Sequence, residues 1–362
     1  MEWIAILKCP ITGKDLRALE AVEIEQINAK ALSNQLWQAD GKPMTEKIEK
    51  ALITVDGAYI YPIIKEIVLL LKDLAVVDAQ SKIIKDIISE DKQLVKNFYD
   101  QKGWFTDEKG NYEDAVIFED LRPFAQDYIK KCHDRVSRFL NPSGTYMIDA
   151  ASGALQYTDY LQYSQNYKYR VCVDFSFQAL SECKRKLGDK GLCILADMTN
   201  MPFKDGVVDG FVSLNTIYHI PKDEQTTAIK ELYRLLKPGA KGVVVYEWFK
   251  HSPWMNFWML PFRGFVYIKN RIMDGAAKLA GKKDAGRRLY YYAHNPEYFQ
   301  KNLPPYSLKV WRSLSVHFMR YYLHSPLFGK KILDWVYNKE EKDPEECGLK
   351  GEYPMLVFEK KK

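Results

Sequence analysis

Three carboxylates close three successive apolar runs: Asp149 ends YMID, Asp174 ends YRVCVD and Asp197 ends GLCILAD. After Asp149 come the small residues Ala150, Ala151, Ser152, Gly153 and Ala154, and a helix-compatible stretch opens at Leu155. A turn of small side chains at the carboxyl end of a strand lets the backbone approach a ligand closely, and a helix start there offers free N–H groups. Asp174 follows Gly153 by 21 positions. In dinucleotide-binding folds an acidic residue about 20 positions past the glycine turn holds a ribose, because a carboxylate accepts from two neighbouring hydroxyls at once. A fourth apolar run, FVSLN, ends in Asn215, so four strand ends present polar groups at one sheet edge, where open α/β folds bind ligands. His219 follows closely and is the one histidine between 146 and 246. A neutral imidazole there can take a proton, or it can order its loop by bonding backbone.

Strand and helix patterns alternate from 146 to 246, which predicts an α/β sheet built mostly of parallel strands. SLKVWRSLS from Ser307 and EYPMLVFEKK from Glu352 add two further strand candidates, an antiparallel pair. Between them, helices are expected around Ile332 to Tyr337, with a polar loop after Asn338.

At this point the residues resemble the class I S-adenosylmethionine-dependent methyltransferases, and more closely their ubiquinone and menaquinone methyltransferase-like branch, over about residues 100 to 246. The family's Asp/Glu-x-Gly-x-Gly-x-Gly loop maps onto Asp149, Ala151, Gly153 and Leu155, so one glycine of three remains. The specific signal is the combination of Asp174, Asp197 with Pro202-Phe203, and Leu236-Lys237-Pro238-Gly239 at a turn before a fifth strand. The resemblance implies a Rossmann-like, seven-stranded, mostly parallel sheet with S-adenosylmethionine as cofactor. It places Asp149 at the methionine amino group, Asp174 at the ribose, Phe175 and Met198 beside the adenine, and Asn215 beside the methionine portion or the acceptor. Ala150, Ala151, Ser152 and Gly153 form the cofactor loop. Ala151 is expected to turn with a negative φ, and Leu155 to point away from the cofactor.

The composition fits an enzyme with a sizeable core: 362 residues, 47% of them hydrophobic. A formal charge of +6, with Lys and Arg dispersed, gives no contiguous nucleic-acid footprint and leans toward an anionic substrate or a membrane surface. No uninterrupted apolar run is long enough to span a bilayer, and the start MEWIAILKCPITGKD lacks the pattern of a leader. The expected location is cytoplasmic, with peripheral membrane contact admitted. Six cysteines without Cys-x-x-Cys spacing read as reduced packing residues, and no metal site is expected.

Residues 1–75 are expected to form a small α+β unit. LKCPITGKDL and VDGAYIYPIIKEIVLLL resemble the zinc-ribbon-like domain that activates certain tRNA and release-factor methyltransferases, but Thr12 stands where a second metal ligand would be. Residues 76–145 read as a helical connector and cofactor cover, with Phe98, Tyr99 and Trp104 as cover or plain core. The remainder, 146–362, carries insertions at about 247–305 and 316–350. The first is helical and dense in Trp, Phe, Met and basic residues (WFKHSPWMNFWMLPFRGF), suited to a bulky or lipid-like acceptor, a membrane interface or a subunit contact. His251, Trp254, Arg263 and Tyr291 are its substrate-side candidates. The leading expectation is methyl transfer from S-adenosylmethionine to a small or amphipathic O, N or C nucleophile. The alternatives are a non-catalytic methyltransferase-fold scaffold and a tRNA or protein methyltransferase.

Overall fold

The computed structural model describes residues 2–44, 46–78, 119–265 and 290–362. Its first strands are β1 (Leu16–Ala18), β2 (Trp37–Gln38), β3 (Ala51–Thr54), β4 (Ile60–Ile64), β5 (Ile67–Leu69) and β6 (Val76–Val77). The later ones are β7 (Gly144–Ala150), β8 (Tyr167–Asp174), β9 (Gly191–Leu195), β10 (Val208–Leu214), β11 (Leu236–Val245), β12 (Tyr306–Arg312) and β13 (Tyr353–Glu359). The helices used below are α1 (Ala21–Leu32), α2 (Pro123–Ser137), α3 (Phe177–Leu187), α4 (Gln225–Leu235), α5 (Pro253–Trp258), α6 (Pro296–Asn302), α7 (Val316–Tyr322), α8 (Gly329–Lys342) and α9 (Pro344–Lys350).

One sheet runs in the order β1-β3-β4-β5-β9-β8-β7-β10-β11-β13-β12, with β2 and β6 attached beside it. The fold is a Rossmann-like α/β one, but the sheet counts thirteen strands among the described residues rather than the seven expected. From β9 to β11 neighbours are parallel, and β13 lies antiparallel between β11 and β12. These central strands are apolar on both faces because helices cover both. Ile148 and Ala150 of β7 pack with Ala228, Ile229 and Leu232 of α4. Met147, one position out of phase, packs on the opposite face with Tyr128, Cys132 and Val136 of α2.

The extra strands come from the N-terminal stretch, which joins the main sheet. β5 lies parallel to β9, with Ile67 opposite Cys193 and Leu69 opposite Leu195. The amide of Leu70 donates to the Leu195 carbonyl at 2.9 Å. Beyond the strands, Lys8 N donates to Pro202 O at 3.0 Å, Lys204 N to Ile6 O at 2.9 Å and Asn200 Nδ2 to Pro10 O at 2.9 Å. The N-terminal residues therefore close the exposed edge of β9 and grip the loop that follows Asp197. Cys9 is a packed side chain, its sulfur accepting from Thr12 N at 3.3 Å and lying 3.0 Å from the Tyr61 hydroxyl.

Several local expectations change. No α-helix starts at Leu155; a 3₁₀ helix runs instead over Thr158–Ser164. Tyr157, Tyr160 and Tyr163 recur every three residues, the 3₁₀ period; the Tyr160 ring meets Tyr157 edge-on at 5.0 Å and stacks with Tyr163 at 5.5 Å between centroids. Lys237-Pro238-Gly239 lies inside β11 rather than before it, as a kink with Gly239 at φ +80° and a register shift opposite Val208 and Gly210. The polar loop expected after Asn338 is helix, since α8 continues to Lys342 and α9 follows. Glu340 explains why: its buried carboxylate accepts from Ser313 N at 2.7 Å and Tyr128 OH at 2.7 Å, pinning α8 to the sheet and α2. Asn295 caps α6, with its Oδ1 accepting from Tyr298 N at 2.8 Å. Phe98, Tyr99 and Trp104 lie outside the described residues, as does 266–289 of the aromatic insertion.

Candidate active site

The carboxyl ends of β7, β8, β9, β10 and β11 converge on one cavity of about 500 Å³. One half is lined by Asp149, Ala151, Ser152, Gly153, Asp174, Phe175, Asp197, Met198 and Asn215, and the other by His219, Glu247, Phe249, Tyr291, Trp311, Arg312 and Glu352 among others. Ala150 is fully buried in the core and does not reach the cavity.

The loop after β7 keeps the backbone of a glycine-rich turn with only one of its three glycines, Gly153. Ala151, Gly153 and Leu155, the three positions of the family pattern, all take left-handed φ values of +52°, +53° and +49°. The negative φ expected at Ala151 is overturned, because neighbouring contacts fix the loop. Gly153 N donates to Asp174 Oδ2 at 2.9 Å, the Cys183 thiol to Gly153 O at 2.9 Å, and Lys186 Nζ to the Ala154 and Leu155 carbonyls at 2.7 and 2.8 Å. Leu155 points away from the cavity into a cluster with Cys172, Leu180, Cys183 and Leu195. A left-handed non-glycine residue costs roughly 1–2 kcal/mol, partly offset by glycine's larger unfolded-state entropy. Ala151→Gly is therefore expected to raise stability by about 1 kcal/mol in urea denaturation. An unchanged or lowered midpoint would show that the loop is not strained at this residue.

Asp149 is buried against a residue the sequence reading passed over. Arg170, fully enclosed in β8, donates Nε to Asp149 Oδ2 at 3.0 Å and Nη2 to the same oxygen, while its Nη1 reaches the Tyr160 carbonyl. Burial pushes the Asp149 carboxyl up to about 6, against the pull of the Arg170 charge. The available signal was an arginine at the head of the apolar run 171–173, where a buried charge demands a partner. Asp174 accepts from Gly153 N and, through Oδ1, from Ser176 N at 2.8 Å, and Ser176 in turn caps α3. Asp197 holds the following turn through Thr199 N and Oγ1, both at 2.7 Å.

His219 is buried at the junction of the two halves. A carbonyl can only accept, so His219 Nδ1–H donates to Tyr290 O at 2.8 Å, and burial lowers the ring's pKa to about 4. The imidazole is therefore neutral near pH 7, with Nε2 as its basic nitrogen. Of the substrate-side candidates, Arg263 and Tyr291 line the cavity. His251 and Trp254 do not: His251 Nε2 lies 3.1 Å from Ala293 O, and the Trp254 ring packs beneath Lys339 and against the second core.

The residues sequence reasoning missed are Glu119, Glu247, Trp311, Arg312 and Glu352. Glu247 follows β11, so extending the pattern of acidic strand ends to the fifth strand would have found it. Burial lifts Glu247 from an ordinary 4.5 to about 7, and burial together with the Glu247 charge lifts Glu352 well above its ordinary value. The folded chain thus holds protons that the unfolded chain releases. This stability is complete below pH 4.5 and is lost as pH rises through 7. Glu352→Gln is expected to gain on the order of 1 kcal/mol over the parent at pH 8 and almost nothing at pH 4, read by urea denaturation at both pH values. An equal gain at both would remove ionisation as the cause.

Comparison with known proteins finds similarity to methyltransferases over part of the chain. A family model described as a methyltransferase domain matches residues 148–244, the stretch from β7 to β11. The matched stretch contains Asp149, Asp174, Asp197 and Asn215, which line the first half of the cavity. The chain is 28% identical over 135 residues to the probable tRNA methyltransferase 9B of Homo sapiens, covering 36% of this chain and 28% of that protein. It is 41% identical over 66 residues to 24-methylenesterol C-methyltransferase 2 of Arabidopsis thaliana, 18% of each. The chain thus spans less than a third of the length of these curated relatives. Among solved structures, geranyl diphosphate C-methyltransferase from Streptomyces coelicolor A3(2) aligns with a TM-score of 0.42 at 12% identity, over 75% of this chain and 98% of that one.

Proposed function

We propose that the chain transfers the methyl group of S-adenosylmethionine to a small or amphipathic acceptor bound in the second half of the cavity. The observation that carries this reading is the loop at 151, 153 and 155, held in the glycine-type backbone although two glycines are gone. Strain of that kind persists where the surrounding structure enforces it, and it gathers at ligand sites. Asn215 supports the fit: it too has a left-handed backbone, φ +57°, and its Oδ1 is buried on the cavity wall without a partner among the described residues. A ligand donor would satisfy it.

Asp174 would accept from the ribose hydroxyls, Phe175 and Met198 would flank the adenine, Asp149 would face the methionine amino group and Asn215 the chain beside it. When bound, the cofactor supplies a methyl group already activated on a sulfonium. The protein then has to align the acceptor, exclude water and, for an acceptor that carries a proton, remove it. His219 is neutral, enclosed and within the lining, which suits it to receive that proton. The wall around it is aromatic, and the helix α5 beside the mouth exposes Phe257 and Trp258 to solvent, with Leu260 just beyond. Lys250 and Arg263 lie in the same segment. Such a surface suits an amphipathic acceptor presented from a membrane interface. No described helix is long and apolar enough to cross a membrane. In this reading the N-terminal strands act as a built-in brace for β9 and the Asp197 loop.

The test is incubation with methyl-labelled S-adenosylmethionine and cell extract divided into lipid, small-molecule and RNA fractions. Label in the lipid or small-molecule fraction, lost in Asp174→Ala, is the expected result. Label in RNA would favour the rival that the similarity to a tRNA methyltransferase raises, and none in any fraction would favour a scaffold.

A further inference from the structure

The acceptor half of the cavity contains two carboxyl groups that the scheme above leaves unused. Glu352 is only 4% exposed, and its Oε2 has no hydrogen-bond partner among the described residues, as is also true of the Tyr291 hydroxyl. Glu247 lies on the same wall and shifts the titration of Glu352. A buried carboxyl without a counter-ion keeps its proton, and a cation that joins it allows it to ionise.

The nearby cations Arg312 and Arg263 act on the pair through their charge, but both make their side-chain bonds elsewhere. The Arg312 guanidinium is ion-paired with Glu119 and sits 4.9 and 4.6 Å from the ring centres of Trp311 and Tyr353. Arg263, which faces Glu352 from the mouth, donates Nη1 to Asn256 Oδ1 at 2.7 Å. The other titratable groups facing the pair are Tyr291 and Tyr353. The same aromatic wall that already seats one guanidinium by cation–π contact thus continues to two carboxyl groups with no dedicated counter-ion.

We propose that Glu247 and Glu352 form a subsite for the ammonium group of an amphipathic amine, the chemical class of the methyl acceptor. This deepens the methyltransferase reading and rests on it for the chemistry. The ammonium would lie between the carboxyl pair and the Tyr291 and Tyr353 rings, its apolar tail toward Phe249 and Phe262 at the mouth. Before its nitrogen can act as a nucleophile it must lose one proton. For this acceptor Glu247, rather than His219, takes the proton: the N–H bond breaks as an O–H bond forms on the Glu247 carboxylate, and the electron pair stays on nitrogen.

Calorimetric titration of the full chain, saturated with S-adenosylhomocysteine, with octylamine and with octanol tests this. Octylamine is expected to bind at least about tenfold more tightly than octanol. The Glu247→Gln, Glu352→Gln double variant should lose that preference and keep S-adenosylhomocysteine affinity within about twofold. Glu352→Gln alone should show a reduced preference, which keeps the test decisive if the double variant does not fold. Equal binding of the two probes, or a preference that survives both substitutions, would overturn the proposal. So would loss of S-adenosylhomocysteine affinity in the double variant, since the pair would then serve the cofactor. Failure of the parent chain to bind S-adenosylhomocysteine would instead overturn the methyltransferase reading, and the amine titration without it would still decide the subsite.

Discussion

Asp174→Ala is expected to weaken S-adenosylhomocysteine binding about 100-fold, close to 3 kcal/mol. Two losses combine. In the scheme proposed here the carboxylate accepts from the ribose, and hydrogen bonds to a charged group contribute about 1.5–3 kcal/mol. The same carboxylate also holds Gly153 N at 2.9 Å and Ser176 N at 2.8 Å, so its removal loosens the turn that brings the backbone near the ligand. Asp174→Asn retains one acceptor oxygen and should fall between the two. Calorimetry, with a thermal melt to show that the variant is folded, measures the effect. An affinity within about threefold of the parent in a folded Asp174→Ala protein would detach this residue from the nucleoside.

Arg170→Met is expected to cost about 3–5 kcal/mol of stability, because it leaves the Asp149 carboxylate buried without its counter-charge. Methionine fills much of the volume, so the loss reports the charge rather than a cavity. Without Arg170 the Asp149 carboxyl must rise above its present value of about 6. A carboxyl raised in the folded state loses stability as pH increases, so the defect should be larger at pH 8 than at pH 5. Adding Asp149→Asn should recover about half of it at pH 8. Urea denaturation of the two single variants and the double variant completes the cycle. A single-variant cost below about 1 kcal/mol, or no recovery in the double, would mean that the pair is solvated in the native chain.

The half of the cavity lined by Asp149, Asp174, Asp197 and Asn215 was legible in the sequence because each of these groups sits at a strand end, where an apolar run meets a polar terminus. Asp149, Asp174, Asp197 and Asn215 all reach the cavity for that reason. The conformation of the loop between them was not legible. Local preference argues for negative φ at Ala151, whereas the loop takes the opposite sign there and is tied at Gly153 and Ala154 by Cys183 and Lys186, some thirty residues away. The other half was hidden for a similar reason. Glu247 and Glu352 meet because β13 returns antiparallel to β11, with Met355 opposite Val245, a pairing across more than a hundred residues. Glu119 and Arg312 join through α2 and β12 at even greater separation. The N-terminal strands show the limit in another form. Their apolar runs announced a sheet, but nothing in them indicated that β5 would lie parallel to β9 and enlarge the main one.

A crystal structure of the full chain grown with S-adenosylhomocysteine tests the central claim most directly. Nucleoside density with its ribose on Asp174 and its base between Phe175 and Met198 is the result expected. A cavity whose Asp174 end holds no nucleoside at saturating concentration, or one closed by Leu155 turned inward, would contradict it.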